Sequence, residues 1–173
     1  MIATGVTSLE MRAPPPRKAD PDPSARFALV RLTGSHAERY LAMYRTLGHR
    51  WMWFSRLLLP RASLAAILDD PRVAAYCLVQ EGQDIGLLEL DFRHAGECEL
   101  AFFGLVEAAI GRGAGRWMMN RALELAWAEP VARLWVHTCT FDHPSAPDFY
   151  RSSGFQVFRT GIEIADDPRL SGH

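Results

Sequence analysis

Three absences narrow the classes to which this 173-residue chain can belong. Positive charge is not in surplus, because 19 basic residues face 20 acidic ones and leave a formal net charge of -1. Proteins that bind nucleic acid neutralise rows of phosphates with Lys and Arg, so nucleic acid is not the expected partner. No apolar run approaches the roughly 18 residues of a spanning helix, and the N-terminus lacks the apolar segment of a secretory signal. We therefore predict a protein that neither spans a membrane nor binds nucleic acid.

Cysteine is scarce as well. Cys77, Cys98 and Cys139 are odd in number, far apart and without a C-x-x-C pair, so no disulfide framework is expected. This usage predicts a cytoplasmic protein. Four potential metal ligands lie close together in sequence: His137, Cys139, Asp142 and His143. No second pair has metal-ligand spacing, so we expect no metal ion.

Proline divides the chain. Residues 1–25 contain a weakly alternating stretch from Gly5 to Met11, which predicts a short strand, and then a proline-rich stretch from Arg12 to Pro23. Proline fixes φ and lacks an N–H, so we interpret that stretch as an extended tether that is not part of a packed element. Residues 26–165 are the predicted domain, and residues 166–173 are a C-terminal tail.

Hydrophobic periodicity predicts the elements of the domain. A strand over residues 27–32 is followed by a helix capped by Ser35 that stops at Gly48, and by short helices starting at Trp51 and Ser63. Further strands are predicted over residues 73–80, 85–92, 97–106, 132–139 and 155–164, and helices over 115–127 and 144–154. This order predicts an α/β, or α+β, three-layer domain.

A glycine-rich turn, from Ile110 to Gly115, separates a predicted strand from a predicted helix. Glycines let the backbone approach a ligand, and a helix N-terminus adds unpaired N–H groups and a positive dipole end. The turn therefore predicts a pyrophosphate site, with an ordinary tight turn as the alternative. Its G-x-G-x-G spacing differs from the dinucleotide-binding G-x-G-x-x-G pattern. On the helix that follows, Arg116, Asn120 and Glu124 form the face expected to be exposed.

A second motif, His143-Pro-Ser-Ala-Pro-Asp-Phe-Tyr150-Arg-Ser-Ser-Gly-Phe, follows one strand later. With these two motifs the chain resembles the GCN5-related N-acetyltransferase (GNAT) family, whose patterns are Q/R-x-x-G-x-G/A and N-x-x-A-x-x-F-Y-x-x-x-G-F. Two positions depart from the patterns, because Ile110 replaces glutamine or arginine and His143 replaces asparagine. The resemblance covers residues 27–158 in element order, and its specific motifs lie within residues 99–155.

The resemblance implies a mixed, mostly antiparallel sheet with helices on both faces. It also implies transfer of an acetyl group from acetyl-CoA to an amine by direct attack, without a metal. The strand backbone at Phe103 and Leu105 and the side chain of His143 would contact the cofactor. So would the turn and the helix start: Gly111, Arg112, Gly113, Ala114, Gly115 and Arg116.

Two proton transfers are needed for this chemistry. An amine with a pKa of about 10 must lose a proton before it attacks a thioester, and a carboxylate can accept it. The resemblance gives this role to Glu99, with Glu97 or Glu89 as alternatives. It gives protonation of the departing thiolate to Tyr150, which otherwise would be a packing aromatic. The acceptor pocket would include a tryptophan from the turn between the first two helices, Trp51 or Trp53, although aromatic residues are more often core.

Other functions and partners stay open at this stage. A non-catalytic coenzyme A sensor of the same fold and a nucleotide- or phosphate-binding protein are the alternatives. The expected partner is a small-molecule or peptide amine, and a homodimer is possible. Members of the family usually end in two strands, but only one follows Gly154 here. We therefore predict that the strand near residues 6–11 docks on the domain and covers an open sheet edge.

Overall fold

The computed structural model describes residues 1–51, 53–140, 142–167 and 170, with the backbone alone for residues 50 and 51. The described residues form seven strands: β1 (Ile2–Met11), β2 (Phe27–Leu32), β3 (Val73–Gln80), β4 (Gln83–Asp91), β5 (Glu97–Leu105), β6 (Arg133–Cys139) and β7 (Gln156–Ala165). Their four α-helices are α1 (Ala37–Trp51), α2 (Arg61–Asp69), α3 (Ala114–Trp127) and α4 (Ala146–Ser152). None of these helices has both the length and the hydrophobicity that crossing a bilayer requires.

The seven strands form one sheet in the order β2-β3-β4-β5-β6-β1-β7. Only β5 and β6 are parallel; every other neighbouring pair is antiparallel. Successive side chains of a strand point to opposite faces of the sheet. On β4, Leu88 accordingly joins the core formed with α3 and α4, whereas Leu87 joins the core formed with α1 and α2. The predicted α+β three-layer fold with a mostly antiparallel mixed sheet is confirmed.

The N-terminal strand docks on the sheet, but not at an edge. β1 spans Ile2–Met11, longer than the predicted strand from Gly5 to Met11, and lies between β6 and β7. Val6 pairs with Cys139 on one side and with Gly161 on the other. Leu9 and Met11 anchor the strand because both side chains are buried in the core. The prediction that this strand covers an edge is wrong, since β7 is the strand left at the edge.

The proline-rich stretch, which the structure describes in full, contains neither helix nor strand, and it packs on the domain instead of acting as a free tether. Residues 12–26, here called the N-terminal strap, cross α3 on their way to β2. Asp20 accepts a hydrogen bond of 2.9 Å from the Asn120 side chain and forms an ion pair of 3.1 Å with Arg121. The Lys18 ammonium donates to the Ser152 carbonyl. Asn120, predicted to be exposed, is therefore only 5% exposed, because polar groups of the strap cover its face of α3.

The helical region differs from its prediction at Gly48. Helix α1 continues past this glycine to Trp51, and the next helical turn starts at Ser55, not at Trp51. A Cβ atom on residue 48 would lie 2.6 Å from the Cβ of Trp53. Gly48 is thus required for the close packing of Trp53 on α1, and it does not end the helix.

Candidate active site

The site forms where the two parallel strands separate. β5 and β6 pair only over residues 97–99 and 133–135, and beyond this point they diverge. A cavity of about 780 Å³ occupies the gap, with Phe103 and Leu105 of β5 on one side and Val136 and His137 of β6 on the other. Divergence leaves backbone groups of β5 without a strand partner on this side, so they are available to a ligand that enters the gap.

The glycine-rich turn forms one end of the cavity. Gly111 and Gly113 have φ angles of 81° and 82°, in the left-handed region that favours glycine. Gly113 is the N-cap of α3, so the N–H groups of the first turn that follows have no partner within the helix. Ile110, Gly111, Gly113 and Gly115 line the cavity. Of the predicted contacts in this segment, Arg112 is exposed outside the lining and Ala114 is buried beneath it.

A cation lies beside this helix N-terminus. The Arg116 guanidinium donates to the hydroxyls of Ser153 and Ser152 at 3.0 and 3.2 Å and sits 4.9 Å above the Phe149 ring. Burial lowers its pKa. Within the described part of the chain, Arg116 forms no ion pair, so its neighbours leave its charge uncompensated. Together with the α3 amides it forms a positive region suited to an anion.

Tyr150 reaches the cavity from α4 and is only 6% exposed. Its ring packs against those of Phe103, Phe149 and Phe155, at centroid distances of 5.8 to 6.3 Å. Burial raises the pKa of its hydroxyl, and the nearby Asp142 carboxylate adds to this effect. The hydroxyl is therefore protonated at neutral pH, the form that can donate a proton.

The three candidate bases have different surroundings. Glu99 lines the cavity, with its Oε1 atom 3.6 Å from His137 Nδ1. Burial raises the pKa of Glu99, an effect that His137 partly offsets. Glu97 pairs instead with Arg133 at 3.3 Å, away from the cavity. Glu89 is 0% exposed and accepts hydrogen bonds from Tyr40 and Arg56 at 2.6 and 2.5 Å. Of the three, only Glu99 faces the cavity.

Trp53 lines the other end of the cavity. Its indole N–H donates to Asp142 at 3.1 Å, and its ring packs 5.3 Å from Phe102 and 5.9 Å from Tyr44. Trp51, the alternative, ends α1, and its side chain lies outside the described residues. The fold therefore places Trp53, one of the two candidate tryptophans, at the cavity.

Asp142 is the residue whose role sequence reasoning missed. Besides the Trp53 indole, it accepts the Thr138 hydroxyl at 2.9 Å and the Cys139 amide at 2.7 Å. It thus links the loop after β6 to the segment after α1 across the cavity. Its only signal in the sequence is its position directly before His143, among the four potential metal ligands. Among the described residues, no three His, Cys, Asp or Glu side chains group as a metal site would require.

His143 also lines the cavity, at the start of the second motif. Its Nδ1 atom accepts the Ser145 backbone N–H at 3.1 Å and lies 2.7 Å from the Ser145 hydroxyl. These contacts fold the ring over the segment that leads into α4, so His143 contributes to the shape of the loop as well as to the cavity wall.

Comparison with known proteins agrees with this geometry. The sequence model of the acetyltransferase (GNAT) family matches residues 31–155. The chain belongs to the GNAT family. No curated protein matches it.

Solved structures share the GNAT fold at low sequence identity. A GCN5-related N-acetyltransferase from Sphaerobacter thermophilus is 18% identical, with a TM-score of 0.69 over 92% of this chain and 50% of that one. An aminoglycoside acetyltransferase from an uncultured soil metagenomic sample is 12% identical, with a TM-score of 0.65 over 82% of this chain and 95% of that one. An IAA acetyltransferase from Bacillus cereus ATCC 14579 is 18% identical, with a TM-score of 0.56 over 78% of this chain and 79% of that one.

Some of the matching structures are longer than this chain. The chain spans 50% of the Sphaerobacter protein, 63% of a putative GNAT-family acetyltransferase from Novosphingobium aromaticivorans and 60% of a conserved protein from Staphylococcus epidermidis. At these identities the likeness establishes the common fold.

Proposed function

We propose that this GNAT domain transfers an acetyl group from acetyl-CoA to an amine by direct attack, without a metal. The observation that supports this function best is the convergence of three groups on one cavity. These are a glycine-rich helix N-terminus, the protonated Tyr150 hydroxyl and the Glu99 carboxylate with its raised pKa. Acid and base are thus available beside a site for a phosphorylated carrier.

The residues around the cavity fit coenzyme A. The N–H groups after Gly113 and the guanidinium of Arg116 suit a pyrophosphate, because both present positive charge without a competing carboxylate. The backbone of Phe103 to Leu105 suits the amides of the pantetheine arm. Ile110 supplies no polar group to the phosphates, so backbone amides would make most of these contacts. Acetyl-CoA brings the activated acetyl thioester.

The remaining chemistry uses two side chains. Glu99 accepts a proton from the amine, directly or through water. The neutral amine nitrogen then bonds to the thioester carbonyl carbon and gives up its second proton to water, and the carbon–sulfur bond breaks as the carbonyl re-forms. Tyr150 donates its proton to the departing thiolate. The products are the N-acetylated amine and free coenzyme A, and the two side chains return to their starting states by exchange with water.

The acceptor end of the cavity favours an amine on an apolar body. Its walls are mostly aromatic or aliphatic: Tyr44, Leu47, Trp53, Phe54 and Phe102. Two carboxylates in the lining are already engaged, since Asp91 pairs with Arg93 and Asp142 accepts the Trp53 indole. A polyhydroxylated amine needs many polar partners, whereas an arylalkylamine needs mainly apolar contact.

Turnover assays test the function and the acceptor class together. Thiol release from acetyl-CoA is followed with arylalkylamines, aliphatic amines, aminoglycosides and peptides, and products are identified by mass spectrometry. We expect arylalkylamines to give the highest kcat/KM. Coenzyme A binding without acetylation of any amine would favour the sensor function. Thermal stabilisation by ATP equal to that by coenzyme A would favour a nucleotide-binding protein.

Gly115 allows a clean test of the phosphate site. A Cβ here would make ordinary contacts of 3.6 to 3.9 Å with Leu105 and Phe149, so Gly115→Ala should bind coenzyme A nearly as well as the parent. Gly115→Asp adds a negative charge beside the phosphates and should weaken binding about tenfold or more. Gly113 suits this test less well, because its φ is positive and a Cβ would lie 3.0 Å from Pro21. Equal affinities of the two Gly115 variants, measured by calorimetry, would place the phosphates elsewhere.

Glu99→Gln should lower kcat/KM by about 10²-fold near pH 8, because the amide cannot accept the proton. Ionisation of the amine affects the kcat/KM of parent and variant equally, so it cancels in the ratio of the two values. This ratio should fall as pH decreases through the pKa of Glu99, which burial raises above its ordinary value, because protonated Glu99 is no longer a base. Glu97→Gln, on the same strand but outside the cavity, should match the parent. A ratio that is independent of pH would contradict the role of Glu99.

A further inference from the structure

The last strand presents a long unpaired edge. β7 ends the sheet order, and in the described part of the chain its only strand neighbour is β1. Its outer N–H and C=O groups are therefore free to pair with another strand. Two of its large apolar side chains, Ile162 and Ile164, are 78% and 66% exposed. Apolar exposure on a ten-residue edge strand indicates a surface that another chain covers.

The edge carries few of the features that normally prevent strand pairing. Proteins protect edges with proline, lysine, bulges or very short strands. β7 contains neither proline nor lysine. Its one register shift with β1 lies between Val157 and Arg159, so the register is regular from Arg159 to Ala165. The opposite edge strand, β2, is shorter, at six residues. The regular part of β7 thus offers a template for antiparallel pairing.

We propose that two copies of the chain pair along β7, antiparallel, about a two-fold axis at Gly161. This register places Arg159 of each copy opposite Glu163 of the other, so two cross-strand ion pairs form by symmetry. Thr160 then faces Ile162, and the two glycines meet at the axis. No atom lies within 4 Å of where a Gly161 side chain would be, so this face of the sheet is uncovered at the axis.

Neighbouring registers lack this complementarity. Moving the axis by one residue to Thr160 places Arg159 opposite Gly161, and moving it to Ile162 places Glu163 opposite Gly161. Both shifts leave the charges unpaired. Self-complementarity about a single axis favours a second copy over an unrelated partner, because the same strand supplies both halves of each pair.

The dimer would also bring the second copy to the active site. Arg159 and Glu163 pair with Ser8 and Thr4 of β1, so both lie on one face of the sheet. Glu163 and Thr4 are part of the cavity lining. Arg159 of the second copy would therefore neutralise a carboxylate at the cavity wall, and each copy would complete the other's site.

Charge reversal and its rescue test this register. Light scattering after size exclusion should give twice the chain mass of 19.4 kDa for the parent at about 50 μM. Arg159→Glu or Glu163→Arg places like charges opposite each other twice, and each should raise the dimer dissociation constant about tenfold or more. The variant with both substitutions restores opposite charges and should restore the dimer.

Controls separate pairing from loss of structure. Arg61→Glu, a charge reversal on α2, should leave the dimer intact, and circular dichroism should match for all variants. Amide exchange in β7 should be slow in the parent and in the double variant, and faster in each single variant. A monomeric parent, single variants that dimerise like the parent, or a double variant that stays monomeric would overturn the proposal.

Discussion

Tyr150→Phe is expected to lower kcat by about 10²–10⁴-fold and to leave coenzyme A affinity nearly unchanged. The buried ring packs against Phe103, Phe149 and Phe155, and phenylalanine keeps those contacts. Only the hydroxyl is lost, so the departing thiolate has no positioned proton donor. The barrier should rise by about 3–5 kcal/mol. The loss should appear in kcat, because the proton stabilises the negative charge that develops on sulfur in the transition state and not in the bound ground state.

Steady-state kinetics with a responsive amine measure this effect, with thermal denaturation of both proteins alongside. Tyr76→Phe is the matched control, since that ring lies on β3 beneath Arg31 and away from the cavity. A kcat within about threefold of the parent would exclude Tyr150 as the general acid, given the size expected for such a group. A rate loss that follows the melting temperature would instead indicate a packing role.

Arg56→Met is expected to cost about 3–5 kcal/mol in the free energy of unfolding. The Glu89 carboxylate is fully buried, and its partners are Arg56 and the Tyr40 hydroxyl. Burial favours the neutral form of Arg56, but the Glu89 carboxylate beside it outweighs burial and raises the pKa of Arg56, so the guanidinium is charged. Removing the guanidinium leaves a buried charge with one neutral donor. The melting temperature should fall by roughly 6–20 °C.

A double variant distinguishes charge from packing. In Arg56→Met with Glu89→Gln, the amide oxygen still accepts the Tyr40 hydroxyl and no charge is left unpaired, so much of the stability should return. Arg61→Met removes an exposed ion pair with Glu38 and should change stability by less than about 1 kcal/mol. If Arg56→Met is as mild as Arg61→Met, the buried pair contributes little to stability.

The parts of the fold that follow local rules could be predicted from the sequence. Residues 115–127 repeat apolar positions at helical spacing, and α3 begins one residue earlier, after the left-handed Gly113. The strand before the turn and the strand after α3 also occur within about one residue of their predicted bounds. Most of the residues that the two motifs assign to the site, from Gly111 to Tyr150, line the cavity, because motif spacing fixes which residues meet at a strand end.

The predictions that proved wrong depend on contacts between residues that are distant in sequence. Nothing near Asn120 indicates that Asp20 covers it, and a run of prolines looks the same whether it is free or packed. Gly48 has the sequence character of a helix end, yet it serves the packing of Trp53. The place of β1 inside the sheet is likewise invisible to local pattern, because alternation identifies a strand but not its neighbours.

The position of β1 has a consequence for synthesis. This strand is synthesised before the rest of the domain, but Val6 pairs with Cys139 and Gly161, which follow more than a hundred residues later. Chain segments generally fold as they emerge, and pairings between distant segments form slowly. The part of the sheet formed by β6, β1 and β7 therefore closes only after β6 and β7 have been synthesised. Trimming the first eleven residues as though they were a flexible leader would remove an interior strand and detach β7 from the sheet.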